Sequence, residues 1–289
     1  MTNGGIIVLG DIMNYKRAYK YRDENYYIHH TISSKPAPED FAFKSHSHNM
    51  YEVYYFLGGE ADLAVEGKVY SLKKGTIVIT DRGQTHNIII KSSETPYERI
   101  AILFSAKVLT PSFLPLFDAA REGKNCYFLN EDEQIWFYQS IKTIENSENS
   151  KIDAKTIISV AVSSILAKLG TMLTISNNVR NEENDLVREI IKFINNNIEM
   201  DWTLDTLEKS LFRDKAYLNR KFKSVMGCSI WEYNLRKRIF SAQQQLYLSQ
   251  SVNEAYLASG FNDYSSFYRR YKKYIGLSPT DDLRSFNLK

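Results

Sequence analysis

At 289 residues, with 43% hydrophobic and 25% charged side chains, the chain is long enough for two ordinary domains and has a soluble globular composition. Two cysteines about a hundred positions apart, Cys126 and Cys228, exclude a disulfide framework and a cysteine zinc site, so a reducing cytoplasm is the expected compartment. The net charge of +3 conceals an asymmetry. From Leu186 onward 17 Lys and Arg stand against 11 Asp and Glu, and before it 20 against 23, which suggests a polyanion as partner of the C-terminal third.

The opening MTNGGIIVLGD lacks the basic flank and apolar length of a signal peptide, and no segment is expected to reach the ~20 apolar residues of a membrane span. Residues 14–30, NYKRAYKYRDENYYIHH, are rich in tyrosine. They read as an arm that covers one end of the following β region, or stacks on a sugar-like ligand. From about Phe41 to Phe104 come six short β-rich runs: MYEVYYFL, ADLAVEG, KVYSL, TIVIT, HNIIIK and YERIAILF. Their close spacing, with no helical period between them, predicts an antiparallel sandwich or barrel.

Beyond Glu131 apolar residues recur at helical spacing, and DAKTIISVAVSSILAKLGTML is apolar around most of its circumference. Such a helix must be buried, and residues 131–173 are expected to mediate dimerisation. Residues 176–185, SNNVRNEEND, read as a polar linker, and everything after them is helical. Two stretches there match 49 positions apart, AYLNRKFKSVMGCS (216–229) and SSFYRRYKKYIGLS (265–278). Each follows a shorter helix and a turn, which is the helix-turn-helix arrangement. Leu218 and Phe222, and in the repeat Phe267 and Tyr271, are i and i+4 on an inward face. The outward face carries Ala216, Asn219, Arg220 and Lys223, then Ser265, Ser266, Arg269 and Lys273. Small residues admit the helix to a major groove, arginine pairs with guanine, and Asn219 is placed to pair with adenine.

Residues 186–286 resemble the DNA-binding domain of the AraC/XylS family of bacterial transcription regulators, through YLNRKFK, NLRKRIFSAQQQL and GFNDYSSFYRRYKKYIGLSP. The resemblance implies two recognition helices entering successive major-groove segments, held apart by the helix from Ile230 to Leu248. Base-facing positions carry over to Ala216, Asn219 and Arg220, and to Tyr264, Ser265, Ser266 and Arg269. Glu208 and Tyr256 replace a usual alanine and Phe212 a usual turn glycine, which puts the tilt of the supporting helices in question. Lys221 and Arg270 replace usually apolar positions and add phosphate-seeking charge.

Upstream, His46, His48, Glu52 and Gly59, then Gly75, Gly83 and His86, resemble the two motifs of the cupin β-barrel. Asp81 stands for the usual proline and Ile90 for the final asparagine. In cupins that keep the set, His46, His48, Glu52 and His86 would be metal ligands, and alternation would put His46 and His48 on one strand face. Three imidazoles and a carboxylate suit Mn, Fe, Ni or Zn. The same four residues are candidates first for hydrogen-bonding a polar organic ligand, then for a structural or sensing metal, and last for a catalytic one; no cofactor is required by the sequence, and a divalent transition metal is the one it allows.

The expected class is therefore α+β in two domains. Residues 1–175 form a cupin-like antiparallel β-barrel with helices, residues 176–185 a linker, and residues 186–289 an all-α double helix-turn-helix domain. The expected function is that of a cytoplasmic, non-enzymatic regulator, an activator acting on promoter DNA and RNA polymerase, dimeric and controlled by a sugar-like effector. The competing reading is a metal-dependent cupin enzyme with a helical appendage.

Overall fold

The computed structural model describes residues 15–37, 43–172, 181–183 and 185–287. Among the described residues ten strands follow in chain order: β1 (Tyr15–Arg22), β2 (Tyr26–Ser33), β3 (Tyr51–Gly58), β4 (Ala61–Val65), β5 (Lys68–Ser71), β6 (Thr76–Thr80), β7 (His86–Ile90), β8 (Tyr97–Phe104), β9 (Cys126–Phe128) and β10 (Asn181–Glu183). They form two antiparallel sheets, ordered β1-β2-β8-β3-β6-β9 and β10-β5-β4-β7. All six expected runs are strands. The tyrosine-rich stretch, expected as an arm, is instead a hairpin built into the larger sheet, with β2 paired to β8 along its whole length. Its alternation of Tyr with Lys and Arg is that of a half-buried edge strand. The stretch expected as a linker contains β10, which pairs with β5.

Strand β3 shows why the sheet carries two cores. Tyr51, Val53 and Tyr55 face helices α1 (Leu114–Arg121), α2 (Glu131–Glu145) and α3 (Ala154–Met172). Tyr54 and Phe56 face the space between the sheets, with Leu63, Tyr70, Ile88 and Tyr97. A strand buried on both faces reads as a continuous apolar run, and Glu52 is the exception within it. Helix α2 starts at a reciprocal capping box between Asn130 and Glu133. Helix α3 is long and apolar enough to cross a membrane by length and composition, contrary to expectation. Ile158, Ile165, Leu166 and Leu169 place one of its faces in the first core, so its apolarity is that of a packed helix.

The C-terminal part is helical: α4 (Asp185–Asn196), α5 (Leu204–Leu211), α6 (Lys215–Met226), α7 (Ile230–Ser249), α8 (Val252–Leu257), α9 (Tyr264–Ile275) and α10 (Pro279–Asn287). The repeat recurs in the caps. Asp214 accepts from Tyr217 N–H, and Asp263 from Ser265 and Ser266 N–H; Gly227 and Gly276 end α6 and α9 in the left-handed conformation. Leu218, Phe222, Phe267 and Tyr271 are fully buried, as the spacing predicts. Arg238 on α7 ties the two units together by donating to the carbonyls of Met200 and Gly260. Asp282 holds the second unit to α7, accepting from Gln243 (2.7 Å), Tyr247 (2.9 Å) and Tyr271 (2.7 Å).

Candidate functional site

Helices α6 and α9 present the expected outward face. Ala216, Arg220, Lys223, Tyr264, Ser265, Arg269 and Lys273 are exposed. Two expected contacts are engaged within the fold. The Asn219 carboxamide oxygen accepts from the Ile230 N–H at 3.0 Å, holding the first turn of α7. Paired bonding to adenine needs that oxygen as well as the amide NH2, so Asn219 is a structural link in this conformation. Ser266 accepts from Arg270 Nε at 3.1 Å. The departures from the family pattern are absorbed locally. Phe212 takes the left-handed conformation (φ 52°) with its ring exposed, while Tyr256 packs edge-on to Tyr264 and against Phe267.

The four cupin residues converge. His46 and His48 lie just before β3, not on a regular strand; an isolated bridge from His46 to His86 brings the two motifs together. The ligand atoms of His46, His48 and His86 lie within 4.8 Å of one another. Glu52 Oε2 lies 3.1 Å from Nε2 of both His48 and His86. Each imidazole places its Nδ1 on a backbone carbonyl: His46 on Lys44 (2.9 Å), His48 on Met50 (3.0 Å) and His86 on Gln84 (3.0 Å). A carbonyl only accepts, so Nδ1 carries a proton in each ring, and Nε2 faces the common centre. This is the orientation metal-bound histidines have. The His86 Nε2 is buried with no hydrogen-bond partner among the described residues. Burial, then repulsion from His86 and His48, holds the His46 pKa well below its usual range. Burial alone would raise Glu52, but the facing imidazoles outweigh it and hold its carboxyl well below the usual range. A buried His86 Nε2 without a hydrogen-bond partner, a His46 held neutral and an ionised carboxylate fit a divalent transition metal.

This cluster abuts the DNA-binding domain. Ser45, next to His46, accepts from Arg236 Nη1 at 3.2 Å and lies 3.5 Å from Cys228 Sγ, at the junction of α6 and α7. A second contact comes from the β4–β5 turn. Glu66 and Gly67 both have positive φ (46° and 82°), the geometry of a two-residue hairpin turn that favours Asn or Gly, so Glu66 is strained there. Its carboxylate accepts from Tyr233 and from Thr85 N–H (2.6 Å) and pairs with Lys237 at 3.1 Å. Gly67 donates to Met226 Sδ at 3.2 Å, and a Cβ there would lie 3.0 Å from Ile191. The sequence offered one missed signal for this contact: a glutamate at a turn position suited to Asn or Gly.

A barrel with an imidazole cluster, joined to two helix-turn-helix units with a basic outward face, defines a ligand-sensing DNA-binding protein. Residues 208–285 match a helix-turn-helix domain family and residues 35–102 a cupin domain family. The chain is similar to the lactose operon transcription activator of Staphylococcus xylosus (21% identical over 239 residues, 80% of this chain and 82% of that one). It is similar along 94% of its length to the uncharacterized regulator YdiP of Escherichia coli (22% identical, 93% of that chain). The activator AarP of Providencia stuartii matches over 99 residues at 29% identity, 34% of this chain and 73% of AarP. The chain is an AraC/XylS-type helix-turn-helix transcription regulator with an N-terminal cupin domain. Its relatives are regulators, and the enzyme reading of the cupin site is not retained.

Proposed function

We propose that this regulator works in the cytoplasm as a homodimer, divided near residues 176–185, and activates transcription when a polar small-molecule effector, a carbohydrate or a close relative, binds its cupin domain. RNA polymerase is then its protein partner. The observation that carries the reading is the contact between the imidazole cluster and the DNA-binding domain: Ser45, the residue beside His46, is bonded to Arg236 and Cys228 at the α6–α7 junction. A ligand that moves His46 therefore strains the mounting of a recognition helix, and its differential affinity for two such arrangements is the coupling energy. His46, His48, Glu52 and His86 would hold a divalent metal, which supplies a Lewis-acidic centre for hydroxyl or carboxylate groups of the effector. The relatives named as activators, one of a lactose operon, support both the direction of control and the effector class. Ile135 and Tyr138 on α2, with Val160 on α3, are exposed apolar side chains suited to a dimer face.

The test is binding of the full chain to its own upstream promoter DNA by fluorescence anisotropy, with non-specific competitor. Arg220→Ala and Arg269→Ala are each expected to cost ~1–3 kcal/mol of specific affinity. Unchanged specific binding in both variants overturns the assignment of these helices.

A further inference from the structure

The two helix-turn-helix units share their caps and inward faces but differ in how their recognition helices open. Lys215 and Tyr264, the first residues of α6 and α9, stand immediately before the two matching stretches. Lys215 is paired with Asp205, and the small Ala216 beside it is exposed. Tyr264 instead sets an aromatic ring, 43% exposed, at the edge of the outward face that carries Ser265 and Arg269.

That ring is held from behind. Tyr256 meets it edge-on, with centroids 5.5 Å apart and planes at 86°. Phe267 lies 5.9 Å away and Tyr268, one turn along α9, 6.4 Å. Tyr256 is itself seated on Phe267 at 5.6 Å, and Phe267 is fully buried between Phe261 and Tyr271. Tilted and edge-to-face pairs at these separations are favourable aromatic geometries. The backbone beneath is fixed too, since Asp263 accepts from Ser265 N–H (3.2 Å) and Ser266 N–H (2.6 Å). Tyrosine has few side-chain torsions, and with these held it gives up little entropy on contact.

A fixed, half-exposed ring beside residues that face base edges needs an apolar complement. The bases display hydrogen-bonding donors and acceptors in the major groove, and the methyl group there is the one on C5 of thymine. We infer that Tyr264 reads a thymine 5-methyl group in the DNA segment under α9, and that Tyr256 is the positioning residue that holds its ring for the contact. The inference rests on the recognition-helix reading above and adds to it which base the second unit selects. The two operator segments then differ in kind where each helix begins, with a paired lysine and a small alanine over one and an apolar ring over the other.

The test is fluorescence anisotropy of the full chain on its own upstream promoter DNA, made with thymidine throughout or with deoxyuridine in successive short blocks. Uracil lacks the methyl group and keeps every hydrogen-bonding group. At least one block is expected to weaken the parent about fourfold or more, the worth of one buried methyl group, and to leave Tyr264→Ala unaffected. Tyr256→Ala should lose the same sensitivity, as should Tyr256→Leu, which keeps apolar bulk on Phe267 but offers no ring edge. Tyr264→Phe and Tyr256→Phe keep the rings and should retain it. Each variant is compared with itself on two DNAs, so a general weakening from poorer folding cancels. If no block separates the parent from Tyr264→Ala, the methyl assignment is overturned. Loss of the sensitivity in Tyr264→Phe would assign the contact to the hydroxyl and overturn it equally. Sensitivity that survives both Tyr256→Ala and Tyr256→Leu overturns the positioning role. A parent chain without specific promoter binding overturns the regulator reading, and this assignment with it.

Discussion

Glu66 bridges the two domains through Tyr233 and Lys237, and replacing it with alanine tests its part in docking directly. Its side chain serves three donors at once: the Tyr233 hydroxyl, the Thr85 N–H and the Lys237 ammonium. Tyr233 is fully buried, so removing the acceptor leaves its hydroxyl unpaired at a cost of ~1–3 kcal/mol. The pair with Lys237 is itself mostly buried, with side-chain exposures of 17% for Glu66 and 19% for Lys237, and its loss adds about 1 kcal/mol. Alanine keeps the strain of a positive φ (46° at Glu66), so no relief offsets the loss. Glu66→Ala should therefore destabilise the docked chain by ~2–4 kcal/mol. Urea unfolding followed by tryptophan fluorescence measures it, since Trp202 lies in the helix-turn-helix core close to Trp231. A double-mutant cycle with Tyr233→Phe isolates the hydroxyl and should give a coupling of about 1 kcal/mol or more. Additive effects, or an unchanged midpoint in Glu66→Ala, refute the docking role assigned to this turn.

Phe212→Gly should raise stability by ~0.5–1 kcal/mol, because a left-handed non-glycine residue is strained and this ring is 86% exposed, with little packing to lose; a lower melting temperature would show that the ring packs where the structure leaves it in water. Glu145 gives a pH dependence. Burial raises its pKa, but hydrogen bonds from Lys142 and His30 outweigh that and hold it below its ordinary value of about 4.5. A depressed folded pKa means stabilisation that is complete above the unfolded value and lost as pH falls through the folded one. Melting temperature against pH should accordingly drop less steeply below pH ~5 in Glu145→Gln than in the parent, and parallel curves would deny the linkage. Added Zn(II) should bind at one equivalent per chain and raise the melting temperature, with both effects lost in His86→Ala; retention in that variant would place the metal elsewhere.

Much of this arrangement was legible in the residues because it depends on local periodicity. The six β runs between Phe41 and Phe104 are short, rich in β-branched and aromatic residues, and break at turn residues, and each became a strand. The repeat at 216–229 and 265–278 carries its own caps and inward face, so Asp214, Gly227, Leu218 and Phe222 have counterparts in Asp263, Gly276, Phe267 and Tyr271. The cupin spacing likewise announced that His46, His48, Glu52 and His86 would meet. Local pattern was weaker where the partner is remote. The tyrosine-rich stretch became two strands because β8, some seventy residues on, offers β2 a full ladder. Helix α3 is hydrophobic enough for a bilayer, and it is the outer face of the six-stranded sheet that accounts for its buried side.

Side-chain direction at long range was beyond any spacing rule. Asn219 sits on the outward face of α6 by period, yet its oxygen is drawn to the Ile230 N–H, since an unpaired helix N-terminus competes with solvent for that acceptor. Glu66 and Tyr233 are 167 positions apart and meet only because the domains dock. Sequence by itself determined the two domains, their strand and helix content, the recognition helices and the imidazole cluster, all properties of nearest neighbours and short periods. Which surfaces of those domains face each other, and hence which side chains meet between them, was decided by packing between residues whose separation along the chain carries no signal of their contact.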